Sequence, residues 1–227
     1  FTPDLLPGDI TGVMVFDPDA GVFEFRQGPI FAHVVLVDEI NRTSPKVQSA
    51  LLESMGEKQV TIDNVTRSLS DLFFVIATQN PLDQVGTYPL PVAQLDRFMF
   101  KIRMTNISRE AELEVVRSWG RPRQKCSMAQ VSIADVLRAR SCVRNEIAVD
   151  EAVMECLVDI IRGLRKDPRC LQGASTRSVV QAVPALQAHA LMSGRGYVSA
   201  GDIESLAVPL FSHRLQLAPG SGNADAV

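Results

Sequence analysis

The chain has 227 residues, 46% of them hydrophobic and 22% charged, with a formal net charge of -3 and a sequence pI of about 5.7. That length suits one large domain or two modest ones with real cores, and the mildly acidic balance gives no global electrostatic case for nucleic acid as a partner. No apolar run approaches a membrane span and no signal peptide is visible; Cys126, Cys142, Cys156 and Cys170 lack CxxC spacing and His33, His189 and His213 form no ligand cluster, so reduced thiols in a cytoplasmic protein are expected.

The chain opens on Phe1-Thr2-Pro3-Asp4 rather than on methionine, which reads as the interior of a longer protein. Gly12-Val13-Met14-Val15-Phe16 and Val22-Phe23-Glu24-Phe25-Arg26 flank Asp17-Pro18-Asp19-Ala20-Gly21, the pattern of a hairpin with a slightly long loop. Next comes Val34-Val35-Leu36-Val37, an unbroken apolar run that predicts a strand buried on both faces, and it runs straight into Asp38-Glu39. Thr43-Ser44-Pro45 is a cap followed by proline at the first helical position. Val47, Ala50, Leu51 and Ser54 then keep helical spacing, with Gly56 as the predicted stop. Gln59 to Leu69 reads as a second hairpin turning at Asp63-Asn64. Phe73 to Thr78 is another strand of buried type and ends in Gln79-Asn80-Pro81.

Gly86 to Pro91 reads as a loop, Val92 to Arg97 as a short helix and Phe98 to Met104 as a third strand. Strand, helical crossover and strand imply a right-handed parallel α/β unit. Glu110 to Trp119 is helical, and Gly120 to Lys125 is a basic connector that reads as solvated. From Val131 onward the pattern is helical throughout. Val153, Met154, Leu157, Ile160 and Ile161 form a strong apolar face; Ser175-Thr176 caps a helix that Pro184 should kink or offset; Val198 to Ile203 opens the last helix, running toward His213-Arg214. The Gly/Ser/Ala-rich tail from Ala218 is expected to fray. The resulting division is an α/β core over residues 1–118 with two hairpin insertions, a linker over 119–130, a helical subdomain over 131–218 and a tail over 219–227.

Acids at the carboxyl end of a strand lie where open α/β sheets bind ligands. In a phosphate-handling sheet, the first would hold Mg²⁺ and the second would polarise a water. The alternative is a strand end with two solvated acids. Asn80 ends a strand that could neighbour the first, where its amide could orient a water or a phosphate, or simply cap the turn before Pro81. Arg97 ends a short helix, placed either to reach a neighbouring subunit's phosphate or to pair with Asp96 or another nearby acid. Arg177 follows the cap of a helix amino terminus, a poor place for a cation by dipole logic, which favours a functional role.

The order and wording of these motifs closely resemble the MoxR family of AAA+ ATPases. The segments that carry the likeness are FTPDLLPGDITG, FEFRQGPIFA, VVLVDEINRTSPKVQSALLE, FFVIATQNP, GTYPLPVAQLDRF, GAST and the late FSHRL. The resemblance implies an α/β fold of P-loop NTPase (AAA+) type, with a parallel sheet sandwiched by helices, incomplete at its amino terminus and followed by an all-helical lid. It implies a Walker B at Leu36-Val37-Asp38-Glu39, with Asp38 for Mg²⁺ and Glu39 as catalytic acid-base. It also implies Asn80 as sensor 1, Arg97 as arginine finger and Arg177 as sensor 2, with ATP and Mg as cofactors. The implied partners are further copies of the chain in a hexameric ring and a protein bearing a von Willebrand factor A domain. The implied work is chaperone-like remodelling or maturation of client proteins.

Two departures stand out. Ser175-Thr176-Arg177 replaces the usual Ser-Pro-Arg, and no GxxxxGK[ST] phosphate loop occurs anywhere. The family's loop and its strand precede the point where this chain starts, so residues 1–227 alone are expected to be inactive and their sheet to show a gap or a forced pairing. A metal-chelatase subunit, a non-catalytic ring scaffold and a DNA-directed motor are the alternatives, the last disfavoured by the acidic balance.

Overall fold

The computed structural model describes residues 2–80, 86–120 and 128–221. A short helix α1 (Pro7–Thr11) leads into the hairpin β1 (Gly12–Asp17) and β2 (Val22–Gln27), antiparallel from Gly12 opposite Gln27 to Asp17 opposite Val22. The Asp17 carboxylate accepts from the amides of Asp19 and Ala20, which closes the loop that the Pro/Gly/Asp run predicted. At the hairpin's base only glycine fits: Gly12 has φ 98°, and a Cβ on Gly28 would lie 2.2 Å from the Ile10 carbonyl oxygen.

Strand β3 (Val34–Val37) follows, then a 3₁₀ turn over Ile40–Arg42 and helix α2 (Pro45–Glu57). The helix passes through Gly56, the predicted stop, and ends on Lys58, whose left-handed φ of 52° terminates it while its amide bonds the Ser54 carbonyl. The second hairpin, β4 (Gln59–Ile62) and β5 (Val65–Ser68), turns on Asp63 and Asn64. Both have positive φ, the two-residue type I′ geometry that Asx residues favour. Strand β6 (Phe74–Ala77) then pairs with β3 in parallel, Val34 opposite Phe74 through Val37 opposite Ala77. The parallel unit expected from the two apolar runs is therefore formed.

Two expectations for this sheet need correction. The strands are not buried on both faces: Val35 and Val37 pack with Val47, Leu51 and Leu52 of α2, whereas Val34, Leu36, Phe74 and Ile76 are 46–66% exposed on the opposite face. Alternation appears because only one face has a covering layer among the described residues. The predicted strand Phe98 to Met104 does not form, because among the described residues no strand lies alongside to complete a ladder. After α3 (Val92–Leu95) the chain runs open, with Ile102 and Met104 exposed and the Lys101 amide bonded to the Pro209 carbonyl, into α4 (Arg109–Ser118). The sheet has the expected gap: among the described residues β6 pairs with β3 alone.

The structure does not describe residues 121–127, so the basic connector lies outside the described residues except for Gly120, as does Cys126; most of the predicted tail, from 222 onward, lies outside them too. Beyond it come α5 (Ile133–Glu146), α6 (Glu151–Lys166), β7 (Cys170–Gln172), α7 (Thr176–Met192), α8 (Ala200–Phe211), a 3₁₀ turn over Ser212–Arg214 and β8 (Gln216–Leu217). Ser132, Asp150 and Ser175 cap α5, α6 and α7 through side-chain acceptors. Ser199 donates from its amide and its hydroxyl to the Asp202 carboxylate at the start of α8. Helix α7 contains Pro184 without ending there. The region is not wholly helical, since β7 and β8 form a small antiparallel ribbon across a bulge. The described residues hold two separate apolar cores, one around β3, β6 and α2, the other around Leu157, Ile161, Leu186, Leu210 and Phe211 of the helical part.

Candidate functional site

Parallel pairing of β3 with β6 puts the ends of both strands side by side. Beyond the last paired residues the ladder continues, with the Thr78 amide donating to Val37 O at 2.9 Å and the Ile40 amide to Thr78 O at 3.0 Å. The Thr78 hydroxyl thereby falls between the two acids. It donates to Asp38 Oδ1 at 2.5 Å and accepts from the Glu39 amide at 2.9 Å. Sequence reading missed Thr78, whose place depends on a strand partner forty residues away. Glu39 has φ 52°, the left-handed region that an unbranched residue enters only at a cost, so its carboxylate is aimed by strained backbone. Arg42 Nη1 lies 3.2 Å from Glu39 Oε2, a partly exposed pair of modest strength.

Asp38 is exposed at the strand end. A carboxylate beside a hydroxyl is an oxygen donor set suited to a hard cation. Among the described residues no group of three or more His, Cys, Asp or Glu gathers into a metal cage. One carboxylate beside a hydroxyl could supply part of a Mg²⁺ shell, an ion that commonly takes only one or two protein carboxylates.

Asn80 lies two residues beyond Thr78, and its carbonyl accepts from Asn41 Nδ2 at 3.2 Å. The buried Asn41 also accepts from the Tyr88 amide, and the Gln48 side-chain amide reaches the carbonyls of Ile40, Thr43 and Tyr88 at 3.0–3.2 Å. These buried amides tie the segment after the two acids, the end of β6 and the loop over 86–90 to the first turn of α2. Neither Asn41 nor Gln48 was singled out from sequence, where each reads as a polar residue on a helix or turn.

The two arginines lie elsewhere. Arg97 donates from Nη1 to Leu52 O at 2.6 Å, on the last turns of α2. A Cβ placed on Gly56 would meet Arg97 Nη1 at 3.1 Å and Arg177 Nη2 at 3.9 Å, so both guanidinium groups reach one point above that glycine. Gly56 is thus not a stop but a clearing that lets two cations lie on the helix. The alternative in which Arg97 pairs with Asp96 is not what forms: Asp96 is taken by Ser175, Ser178 and Arg214 of the helical part. Arg177, second residue of α7, is exposed. Gln48 holds the Ile40 carbonyl beside the first turn of α2, whereas the two arginines meet over Gly56 near its last turn, roughly 12 Å further along the helix axis. The structure gathers Asp38, Glu39 and the end of β6 in one place and Arg97 with Arg177 in another.

Comparison with known proteins bears on both groups. Residues 1–100 match the ATPase family associated with various cellular activities (AAA), and residues 163–227 match the AAA lid domain. The chain is 45% identical over 220 residues to the uncharacterized protein YeaC of Bacillus subtilis, covering 96% of this chain and 68% of that one. It is 37% identical over 226 residues to the chaperone MoxR1 of Mycobacterium tuberculosis, again over 96% of this chain, but spans only 59% of the length of that relative. A crystal structure from Cytophaga hutchinsonii, of a protein provisionally described as an ATPase, superposes with a TM-score of 0.87 at 41% identity, covering 96% of this chain and 69% of that one.

Proposed function

Because this chain belongs to the MoxR family of AAA+ ATPases, we propose that it is the hydrolytic and interface portion of a Mg²⁺-dependent ATPase ring whose nucleotide sites are each shared by two subunits. Asp38 would hold Mg²⁺, which would supply charge neutralisation to the nucleotide's phosphates. Glu39 polarises the attacking water, and Asn80 orients it or the γ-phosphate. Arg97 and Arg177 act together on the nucleotide of the neighbouring subunit, stabilising the charge that develops on its equatorial oxygens.

The observation that supports the shared site is the meeting of Arg97 and Arg177 over Gly56, at the far end of α2 from Asp38 and Glu39. An arginine that leaned back along α2 to its own subunit's acids would abandon the Leu52 carbonyl. Facing outward at the other end, the pair presents two cations to an adjoining subunit with no rearrangement of the helix. Closure of such a head-to-tail contact generates a ring, which we take as a hexamer.

The phosphate grip itself lies outside these residues, since the chain holds no GxxxxGK[ST]. Residues 1–227 alone therefore neither bind ATP tightly nor turn it over. In the complete protein, hydrolysis is coupled to remodelling or maturation of a client, with a von Willebrand factor A domain protein as the family-type partner. Among the described residues no helix is long and apolar enough to cross a membrane. The test is ATP turnover by the full-length protein and by residues 1–227. Glu39→Gln in the full-length protein is expected to lower kcat by about a thousandfold while ATP still binds. Turnover by residues 1–227 that Glu39→Gln abolishes would contradict the proposal.

A further inference from the structure

We infer that a buried polar joint centred on Arg214 positions Arg97 and Arg177 as one unit, so that Arg214 and Ser178 are positioning residues for the interface site; the inference rests on the shared-site reading above. The joint is where the helical part meets the α/β core. Arg214 is almost wholly buried, with its side chain 1% exposed. Its Nε lies 3.1 Å from Asp96 Oδ1 as an ion pair, and its Nη2 donates to Phe98 O at 2.9 Å and to Gln181 Oε1 at 2.7 Å. Beside it, His213 Nε2 lies 3.0 Å from the same Phe98 carbonyl.

The sequence positions of these contacts are what carry the inference. Arg97 is flanked by Asp96 and Phe98, and both flanks are gripped by residues of the helical part. Asp96 accepts from Ser175 Oγ at 3.3 Å and from Ser178 Oγ at 2.9 Å. Those two serines stand on either side of Arg177. One carboxylate thus fixes the backbone beside Arg97 to the first turn of the helix that carries Arg177, and Arg214 closes the bracket from below. The backbone that carries Arg97 and the helix turn that carries Arg177 cannot part without breaking the charge-assisted contacts of Asp96.

The chemistry at this point requires arginine. A planar fork reaches a carboxylate on one edge and two carbonyl-type acceptors on another, which a lysine ammonium on a flexible stem does not reproduce. Burying that cation next to Arg177 is unfavourable: burial and the Arg177 charge both push the Arg214 pKa down, and Asp96 opposes them. A cation held at that cost, with Nε and Nη1 lacking a hydrogen-bond partner among the described residues, is a poor choice for stability alone. It is well suited to fixing geometry where two further arginines must face one anion.

The experiment compares the full-length wild type with Arg97→Ala, Arg214→Met, Ser178→Ala and the Arg97→Ala/Arg214→Met double variant, reading ATP kcat, ATP KM and Tm. Arg214→Met is expected to lower kcat by about tenfold to a hundredfold, the loss that a misplaced catalytic group brings. Its KM is expected to stay within about twofold, since uniform binding is untouched. Ser178→Ala removes one hydroxyl and leaves a folded protein even if Arg214→Met does not; it is expected to lower kcat about threefold with a fall in Tm of only a few degrees, the scale of one lost hydrogen bond. The double variant is expected to be slower than Arg97→Ala by much less than the Arg214→Met factor, because part of the effect of Arg214 runs through Arg97. Wild-type kcat in both Ser178→Ala and Arg214→Met, with Arg97→Ala impaired, overturns the joint while sparing the shared site. A double variant slower than Arg97→Ala by the full Arg214→Met factor overturns it too. If Arg97→Ala itself keeps wild-type kcat, the shared-site reading falls and the joint falls with it.

Discussion

At the end of β6 the Thr78 hydroxyl donates to Asp38 and accepts from the Glu39 amide, so one oxygen sets the spacing of the two acids. Thr78→Val keeps the branched shape and removes both contacts. It is expected to lower ATP kcat in the full-length protein by about tenfold, the usual scale for a group that orients a metal or catalytic ligand. The accompanying stability loss is expected to be only about 1 kcal/mol, as for a single hydrogen bond. Steady-state kinetics and urea unfolding of the same variant read the two quantities, and an unchanged kcat would remove Thr78 from the site. The place of Asp38 and Glu39 at a strand end was legible in sequence because an apolar run entering adjacent acids is a local pattern. Thr78 was not, since its role comes from pairing with a strand that the chain reaches forty residues earlier. Asp96 was misread as a possible partner of Arg97 for a similar reason: proximity in sequence suggested a pair, whereas Ser175, Ser178 and Arg214 compete for the same carboxylate and win.

The elements followed local pattern wherever a partner was present to complete them. Both hairpins, α2 and the parallel β3–β6 pair arose where periodicity and turn chemistry placed them. Phe98 to Met104 did not become a strand, because β-branched and apolar content makes a strand only beside another one. The ribbon β7–β8 is too short to leave a period in the sequence. The 3₁₀ turn after α8 carries a titratable element of this joint. Burial pushes the His213 pKa down to about 4, against which its hydrogen bond to Phe98 O pulls upward. The folded protein therefore keeps His213 neutral at pH values where the unfolded chain, with a histidine pKa of about 6.5, takes up a proton. The unfolded state binds more protons in that window, so stability is full above about pH 6.5 and is lost as pH falls toward 4. Lowering the pH from 7 to 5 is expected to remove about 1–2 kcal/mol through this residue. Urea unfolding at both pH values checks it: His213→Gln keeps an amide donor for Phe98 O and is expected to lose that part of the pH dependence, and an undiminished dependence would place its source elsewhere.

Across the whole molecule, the separation of acids from arginines along α2 gives the fold its functional direction. One end presents Asp38, Glu39 and the end of β6; the other presents Arg97 and Arg177, anchored through Asp96 to the helical part. From sequence the two sets could be named but not placed, and whether Arg177 serves its own subunit or a neighbour was open. The meeting of both arginines over Gly56 supports the neighbour, which is the reading we propose. The measurement that tests this most directly is ATP turnover in mixtures of full-length Glu39→Gln and full-length Arg97→Ala, each nearly inactive by itself. In a shared site, an interface that takes its acid from an Arg97→Ala subunit and its arginine from a Glu39→Gln subunit is intact. Equal mixing is then expected to restore about a quarter of the wild-type rate, the fraction of such head-to-tail contacts in a randomly assembled ring. Mixtures that stay at the level of the two parent variants at every ratio would contradict it.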